Sequence, residues 1–395
     1  MVKSIKTPQG GTMTEKLYDQ DPYLFSFYAK VLSCAEAKKG YEIILDKTAF
    51  FPESAGQSCD SGFINGARVN QVTVKDGIIK HLTDSPVSEG EEVIGDIDSE
   101  KRMRNMAHHS AEHVISGIIK ERFGFENVGF NLSDKQVTID TSGALSDENI
   151  TLIEAEANRI VRENRRIHAL YPSPNQAQML DFRSKKEITE NLRLIMIDGV
   201  DLCACSAPHL RSTGEIGCIK ITDRQSYKGG TRLHMLCSAD AIRDYQFKQD
   251  ELLKIARFFS KKPELAFEAV QKQAEEIKRL CRTAAILTKE RALNLLEKHK
   301  AEEVAVIFDN LLSQDNKIEL ANSLLKEKAK LCAVLSGDDD NGYSGVAASK
   351  ADDTKPLLEA LKAQLNAKGG GKGAMLHLSI FSTEEKIKDF FFNIP

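Results

Sequence analysis

The sequence predicts a multidomain protein of mixed α+β and α/β class. It reads as a small N-terminal β-barrel, an α+β domain, a helical linker and a C-terminal α/β domain. Three observations carry this. Residues 22–98 break into short runs that alternate apolar and polar, separated by Gly and Asp turns, as half-buried antiparallel strands do. Residues 239–300 keep a helical period broken at Pro263. Residues 301–395 alternate apolar runs with helical patterns, the order of an α/β sheet. A chain of 395 residues is long enough for two to four domains. The division read from these shifts is 1–12 (tail), 13–98 (barrel), 99–238 (α+β), 239–300 (linker) and 301–395 (α/β).

In the barrel region, Phe25–Val31, Tyr41–Leu45, Val69–Val74 and Glu91–Ile97 read as strands. Between them, Phe50-Phe-Pro-Glu-Ser-Ala-Gly-Gln57 holds small residues that let a backbone approach a ligand. Residues 100–123 read as a helix and Gln136–Asp140 as a strand. Ser146 caps a helix running to about Arg165, with acids in its first turn. Arg159, Arg162, Arg165 and Arg166 gather at its far end, where the helix dipole favours cations. Ile195–Asp198 and Ile216–Ile221 read as strands, and Lys228–Leu236 as a turn and a final strand.

In the linker, Val270, Ala274, Ile277, Cys281 and Ala284 keep a seven-residue apolar repeat. A homodimer seam and an intrachain packing face read alike there. Further on, Glu303–Phe308, Leu331–Ser336, Gly345–Ser349 and Met375–Phe381 read as strands and Lys355–Lys362 as the start of a helix. The run Gly369–Gly373 suggests a phosphate cradle but lacks the spacing of a nucleotide-binding loop.

Composition narrows the function classes. Hydrophobic content of 41% and charged content of 28% are those of a soluble globular protein. A net charge of −4 argues against bulk affinity for nucleic acid, so any RNA contact needs a local basic face. No charge-poor apolar run approaches the roughly 18 residues of a membrane span. Residues 1–12 lack the apolar core of a secretory signal. The eight cysteines form no regular framework, which fits a reducing cytoplasm with thiols free or on metal.

The chemistry concentrates in two short stretches. His109 and His113 stand one turn apart on the predicted helix and so face the same way. Cys205 and His209 share the same spacing in a stretch that Pro208 marks as a loop. Three imidazoles and a thiolate form a zinc-like donor set. Cys203 and Cys218 are the competing thiols.

With these residues in view, the sequence resembles a known family. His109-Ser-Ala-Glu-His113, Cys205-Ser-Ala-Pro-His209, Arg211-Ser-Thr-Gly-Glu-Ile-Gly217 and Leu45-Asp-Lys-Thr-Ala-Phe-Phe-Pro-Glu-Ser-Ala-Gly-Gln57 followed by Asp60-Ser-Gly62 look like the editing domain of alanyl-tRNA synthetases. They look still more like the free-standing alanyl-tRNA editing proteins, which lack the aminoacylation domain. The likeness covers about residues 13–238 well. More loosely, residues 300–395 resemble the DHHA1-like C-terminal domain of the synthetases, which implies nucleic-acid binding. No DHH catalytic motif is present, so phosphoester cleavage is not supported.

The resemblance implies a cytoplasmic, zinc-dependent hydrolase that removes serine, and also glycine, from tRNA(Ala). It implies zinc on His109, His113, Cys205 and His209, with Thr48 and Gln57 in the amino-acid pocket. Thr48 would exchange a hydrogen bond with the seryl hydroxyl. Glu112, three residues from His109, is a further catalytic candidate that could reach a metal-bound water, a role read from the H-x-x-E-H spacing and not from the resemblance. Lys228, Arg232 and Lys372 are the candidate RNA contacts, and Arg232, in a strand, reads equally as a rim ion pair. Family members often carry two glycines before the glutamine, whereas this chain has Ala55, whose methyl is tolerated only at negative φ. Two rival readings stand beside this one. His109-Ser-Ala-Glu-His113 also spells the inverted zinc-peptidase motif, although such enzymes usually add a carboxylate ligand. A closed four-ligand zinc would also suit a non-catalytic tRNA-binding module.

Overall fold

The structure is a computed structural model that describes residues 13–134, 136–184, 192–351 and 353–394. The 1–12 tail lies outside the described residues. The chain divides into two compact units, Met1–Glu251 and Leu252–Pro395, each of mixed α/β build.

After a short strand and helical turn at 15–20, six longer strands follow in the first unit: β1 (Ser26–Ala37), β2 (Gly40–Leu45), β3 (Gly62–Ile64), β4 (Ala67–Lys75), β5 (Ile78–Thr83) and β6 (Glu92–Ile97). They close into a barrel in the order β1-β2-β5-β4-β3-β6. Period-two patterning decides which side chains fill it. Phe27, Val31, Ile43, Ile64, Val72, Ile79 and Val93 are buried, while Tyr28, Phe63 and Ile94 stay exposed.

The segment between β2 and β3 lies buried beneath this barrel at Ala49, Phe50 and Phe51. Ala55 corrects the expectation from sequence: it sits at φ +53° despite its methyl. Left-handed backbone costs a non-glycine residue about 1–2 kcal/mol, so the surrounding structure holds this turn. Gly56 has no such freedom, because a Cβ there would lie 2.4 Å from the Phe130 carbonyl oxygen.

Helix α1 (Ser99–Phe123) is the axis of the unit. Asp98 caps it by accepting from the Lys101 amide, and Gly124 ends it at φ +70°. Residues 105–119 are buried on all faces, which a surface amphipathic helix would not be. Around it lie β7 (Asn127–Leu132), β8 (Val137–Thr141), α2 (Asp147–Glu163), β9 (Ile167–Leu170), β10 (Leu194–Ile197), β11 (Asp201–Ala204), β12 (Ile219–Tyr227) and β13 (Gly230–Cys237). The sheets run β12-β13-β8-β7 and β9-β10-β11. One apolar core joins the barrel interior to α1 and these sheets.

Two strand assignments need correction. Ile216–Ile221 is not one strand. A 3₁₀ turn, Thr213–Ile216, ends at Gly217 (φ +77°), and β12 starts at Ile219. Cys203 belongs to β11 rather than to the loop, which begins at Cys205.

Helix α3 (Ser238–Phe258) follows, then α4 (Ala266–His299) in the second unit. The α4 repeat positions Val270, Ala274, Ile277, Cys281 and Ala284 are all exposed. The second unit continues with β14 (Val304–Phe308), α5 (Gln314–Lys326), β15 (Leu331–Asp338), β16 (Gly342–Ser349), α6 (Lys355–Leu365), β17 (Ala367–Lys372), β18 (Met375–Ile380) and α7 (Glu384–Phe392). Its sheet runs β14-β15-β16-β18-β17, with β14 and β15 parallel and apolar cores on both faces. The glycine run is not a cradle loop: Gly369–Gly371 belong to edge strand β17. Among the described residues no helix is long and apolar enough to cross a membrane.

Candidate metal centre

Four side chains converge where α1 passes the turn after β11. His109 and His113 come from consecutive turns of the helix. Cys205 and His209 come from the Pro208 turn, which the Ala207 amide tightens by donating to Cys205 Sγ at 3.4 Å. One donor atom from each lies within 4.8 Å of the others, and all four residues are buried. Cys205 Sγ lies 3.5 Å from His109 Nε2 and 3.4 Å from His209 Nε2. A tetrahedral Zn²⁺ with bonds of about 2.3 Å to sulfur and 2.0–2.1 Å to nitrogen requires an S–N edge of about 3.6 Å. The donor set therefore fits such an ion.

The second ring nitrogens are held from behind, as metal-binding histidines require. His109 Nδ1 faces Gln57 Oε1 at 2.8 Å, and His209 Nδ1 faces Ser110 Oγ at 3.1 Å. His113 Nδ1 lies 3.0 Å from an Asp201 carboxylate oxygen.

Electrostatics agree with a cation site. Burial pushes the Cys205 thiol up, but His109 and the hydrogen bonds from the three imidazoles outweigh it and hold it well below its ordinary range. Burial, helped by His113, drives His209 down to about 3, so it is neutral. Burial also opposes charge on His113, yet Cys203, Glu112 and Asp201 raise it well above its usual value.

A cavity of about 450 Å³ opens beside the set. His109, His113, Cys205 and Glu112 line it, with Phe130, Arg183 and Arg193 among its walls. Glu112 Oε1 accepts from Ser116 Oγ at 2.7 Å and from Asn127 Nδ2. Its other oxygen lies 3.7 Å from His113 Nε2.

Other expected site residues fall elsewhere. Gln57 is buried behind His109 and does not line the cavity, and its Nε2 has no hydrogen-bond partner among the described residues. Thr48, expected in the pocket, does not line the cavity either. It is fully buried, and its hydroxyl sits 2.9 Å from His81 Nε2 while accepting from the Phe50 amide at 3.1 Å. Arg232 is committed to Asp140 through two bonds of 2.6 and 2.8 Å and stacks 3.7 Å over Tyr227. Lys228 is exposed at the β12–β13 turn, and neither of these cations lines the cavity. The Lys372 side chain lies outside the described structure. Cys218 belongs to neither donor group, whereas Cys203 joins His113 and Asp201 in a second one. Sequence reasoning missed Ser110, Asp201 and Arg183. Ser110 alone had a signal, its place inside the histidine motif.

Residues 22–101 match the family described as "tRNA synthetases class II (A)", and residues 192–234 match "Threonyl and Alanyl tRNA synthetase second additional domain". The alanine–tRNA ligase of Pyrococcus abyssi is 30% identical over 91% of this chain, and that of Ignicoccus hospitalis 27% over 97%. The alanyl-tRNA editing protein AlaX-L of Pyrococcus horikoshii is 30% identical over 61% of both chains. The chain is thus similar both to alanine–tRNA ligases and to a free-standing alanyl-tRNA editing protein. It spans 41% and 43% of the length of those two ligases and 61% of AlaX-L. The candidate donors Cys205 and His209 fall inside the second matched stretch.

Proposed function

We propose that this chain hydrolyses the ester joining a wrong amino acid, chiefly serine and also glycine, to tRNA(Ala). The observation that carries the reading is the buried His109, His113, Cys205 and His209 set beside a cavity, in a chain similar to alanine–tRNA ligases and to an alanyl-tRNA editing protein. A synthetase pocket for alanine cannot strongly reject glycine, or serine with its added hydroxyl, so a second site is needed. Zn²⁺, when bound, would supply Lewis acidity and an anchor for the substrate. Glu112, on the cavity wall, is assigned the proton transfer.

Thr48 is assigned the test for the seryl hydroxyl. His81 Nδ1 faces the Ile43 carbonyl oxygen at 3.2 Å, so the ring proton sits on Nδ1 and Nε2 accepts. Thr48 therefore donates to His81, accepts from Phe50 and keeps one lone pair. A group meeting that lone pair must donate, as a seryl hydroxyl can and an alanyl methyl cannot. Because Thr48 does not line the cavity, the wall at residues 48–57 has to move for the contact to form.

We assign RNA backbone contact to Lys228, with Arg232 behind it and Lys372 in the second unit, and a homodimer seam to the exposed repeat on α4. We retain the five-part division into tail, barrel, zinc-bearing editing domain, helical linker and DHHA1-like domain. The test is release of labelled serine from seryl-tRNA(Ala), with and without chelator. The expected result is release that chelation abolishes and zinc restores. Intact seryl-tRNA(Ala) after incubation with zinc-loaded protein would overturn the reading.

A further inference from the structure

The three imidazoles differ in what stands behind them. His109 and His209 are backed by neutral groups, Gln57 and Ser110. His113 is backed by a carboxylate. Asp201 is 2% exposed at its side chain and is gripped by Arg183 through two bonds of 2.7 Å each. His113 Nδ1 is buried and has no aligned hydrogen-bond partner among the described residues, so Asp201 is the group placed to take its N–H. His113, Asp201 and Cys203 also form a second donor group, with atoms within 4.8 Å of one another. His113 is thus shared between two possible ligand sets. In the second set, the Arg183 guanidinium already covers both carboxylate oxygens. It opposes a second cation by occupying those lone pairs and by its own charge.

We propose that the Arg183–Asp201 pair is the positioning device that commits His113 to the four-ligand centre. Asp201 accepts the Nδ1–H and leaves Nε2 for the ion. Arg183 keeps Asp201 from becoming a ligand and closes the second donor group. The proposal rests on the metal reading given under Proposed function.

The experiment measures zinc stoichiometry and affinity of the full chain by competition with a chromophoric chelator. It compares the parent chain with Asp201→Asn, Arg183→Met and the double variant Arg183→Met/Asp201→Asn. Removing a carboxylate behind a ligating histidine lowers metal affinity about 10–100-fold. The double variant is expected to show that loss while unfolding, metal-free, near the parent's temperature, since it leaves no buried unpaired charge. This keeps the test decisive should Asp201→Asn alone fold poorly. Arg183→Met is expected to take up a second zinc on Asp201, Cys203 and His113 Nδ1, the thiol and the Nδ1–H giving their protons to solvent, and the double variant is not. Parent-like affinity in the double variant would show that Asp201 only packs, and a single zinc in Arg183→Met would show that the guanidinium closes nothing. Either result overturns the proposal. A parent chain that binds no zinc removes the metal reading itself, which is a separate failure.

Discussion

Replacing Arg102 by Met should loosen the first unit and, through it, the metal centre. Arg102 and Asp60 are both completely buried, and they join α1 to the segment that carries Gln57. Arg102 Nε donates to both Asp60 oxygens at 3.1 Å, Nη1 to the Pro22 carbonyl at 2.9 Å and Nη2 to the Ala49 carbonyl at 2.6 Å. Asp60 also accepts from the Phe51 amide at 2.6 Å. Methionine fills much of the space but leaves a buried carboxylate with one amide donor. Breaking one side of a buried pair costs about 3–5 kcal/mol. At about 2–4 °C per kcal/mol for a unit of this size, the thermal midpoint should fall by roughly 6–20 °C. The double variant Arg102→Met/Asp60→Asn should recover most of this, because a neutral amide oxygen still accepts from Phe51. Zinc affinity should follow the same order, since Gln57 is three residues from Asp60 and backs His109. Differential scanning calorimetry of the three proteins gives the answer. A shift below about 2 °C for Arg102→Met, or no recovery in the double variant, would refute the reasoning.

Three further outcomes are expected. Thr48→Val keeps shape but removes the acceptor, so seryl-tRNA(Ala) deacylation should lose about 1–3 kcal/mol while alanyl-tRNA(Ala) loses nothing. Discrimination then shrinks roughly 5- to 150-fold, at about 1.36 kcal/mol per tenfold; an equal fall for both substrates would remove the assigned role. Cys205→Ala should lose bound zinc by elemental analysis while Cys203→Ala keeps about one equivalent; the reverse result would move the ligand. His81 is fully buried, and burial lowers it from 6.5 to about 4. The unfolded chain therefore binds this proton first on acidification. The stability is fully present above about pH 6.5 and is lost as pH falls towards 4, by about 3 kcal/mol at most. His81→Gln should flatten the fall in thermal midpoint between pH 7 and 4.5, and an unchanged slope would count against this.

How much of this was legible in the sequence depends on how far each signal reaches along the chain. His109 and His113 were legible because a helix puts positions four apart on one face. Most strands of both units were legible, some from apolar alternation, as with Glu92–Ile97, and some from an unbroken apolar run, as with Leu331–Asp338. Ile216–Ile221 misled because its three β-branched residues and Cys218 read as one strand-forming run while Gly217 turns the chain. Gly369–Gly371 misled in the opposite way. Glycine weakens a strand, yet here a Cβ on Gly369 or Gly371 would lie 2.1 or 2.0 Å from a carbonyl oxygen of β18. The missing side chains are a condition of the pairing. Helices α5 and α7 were overlooked although Ser313 and Thr383 cap them in the ordinary way.

The orientation of the metal donors is a different case, because no local pattern encodes it. Gln57 meets His109 across 52 positions, and Ser110 meets His209 across 99. Asp201 reads as a strand-end acid in one dimension, and only the pairing of β11 with β10 and its packing on α1 bring it behind His113. Arg183 and Thr48 make the point in opposite directions. Nothing local singles out Arg183, yet the fold lays it across both oxygens of Asp201. Thr48 sits in a recognisable motif, yet the barrel encloses its hydroxyl against His81. Donor identity is thus written in short spacings, while donor orientation and access are properties of the assembled core. A variant that keeps all four ligands can therefore still lose the centre by loosening Asp60, Arg102 or Asp201.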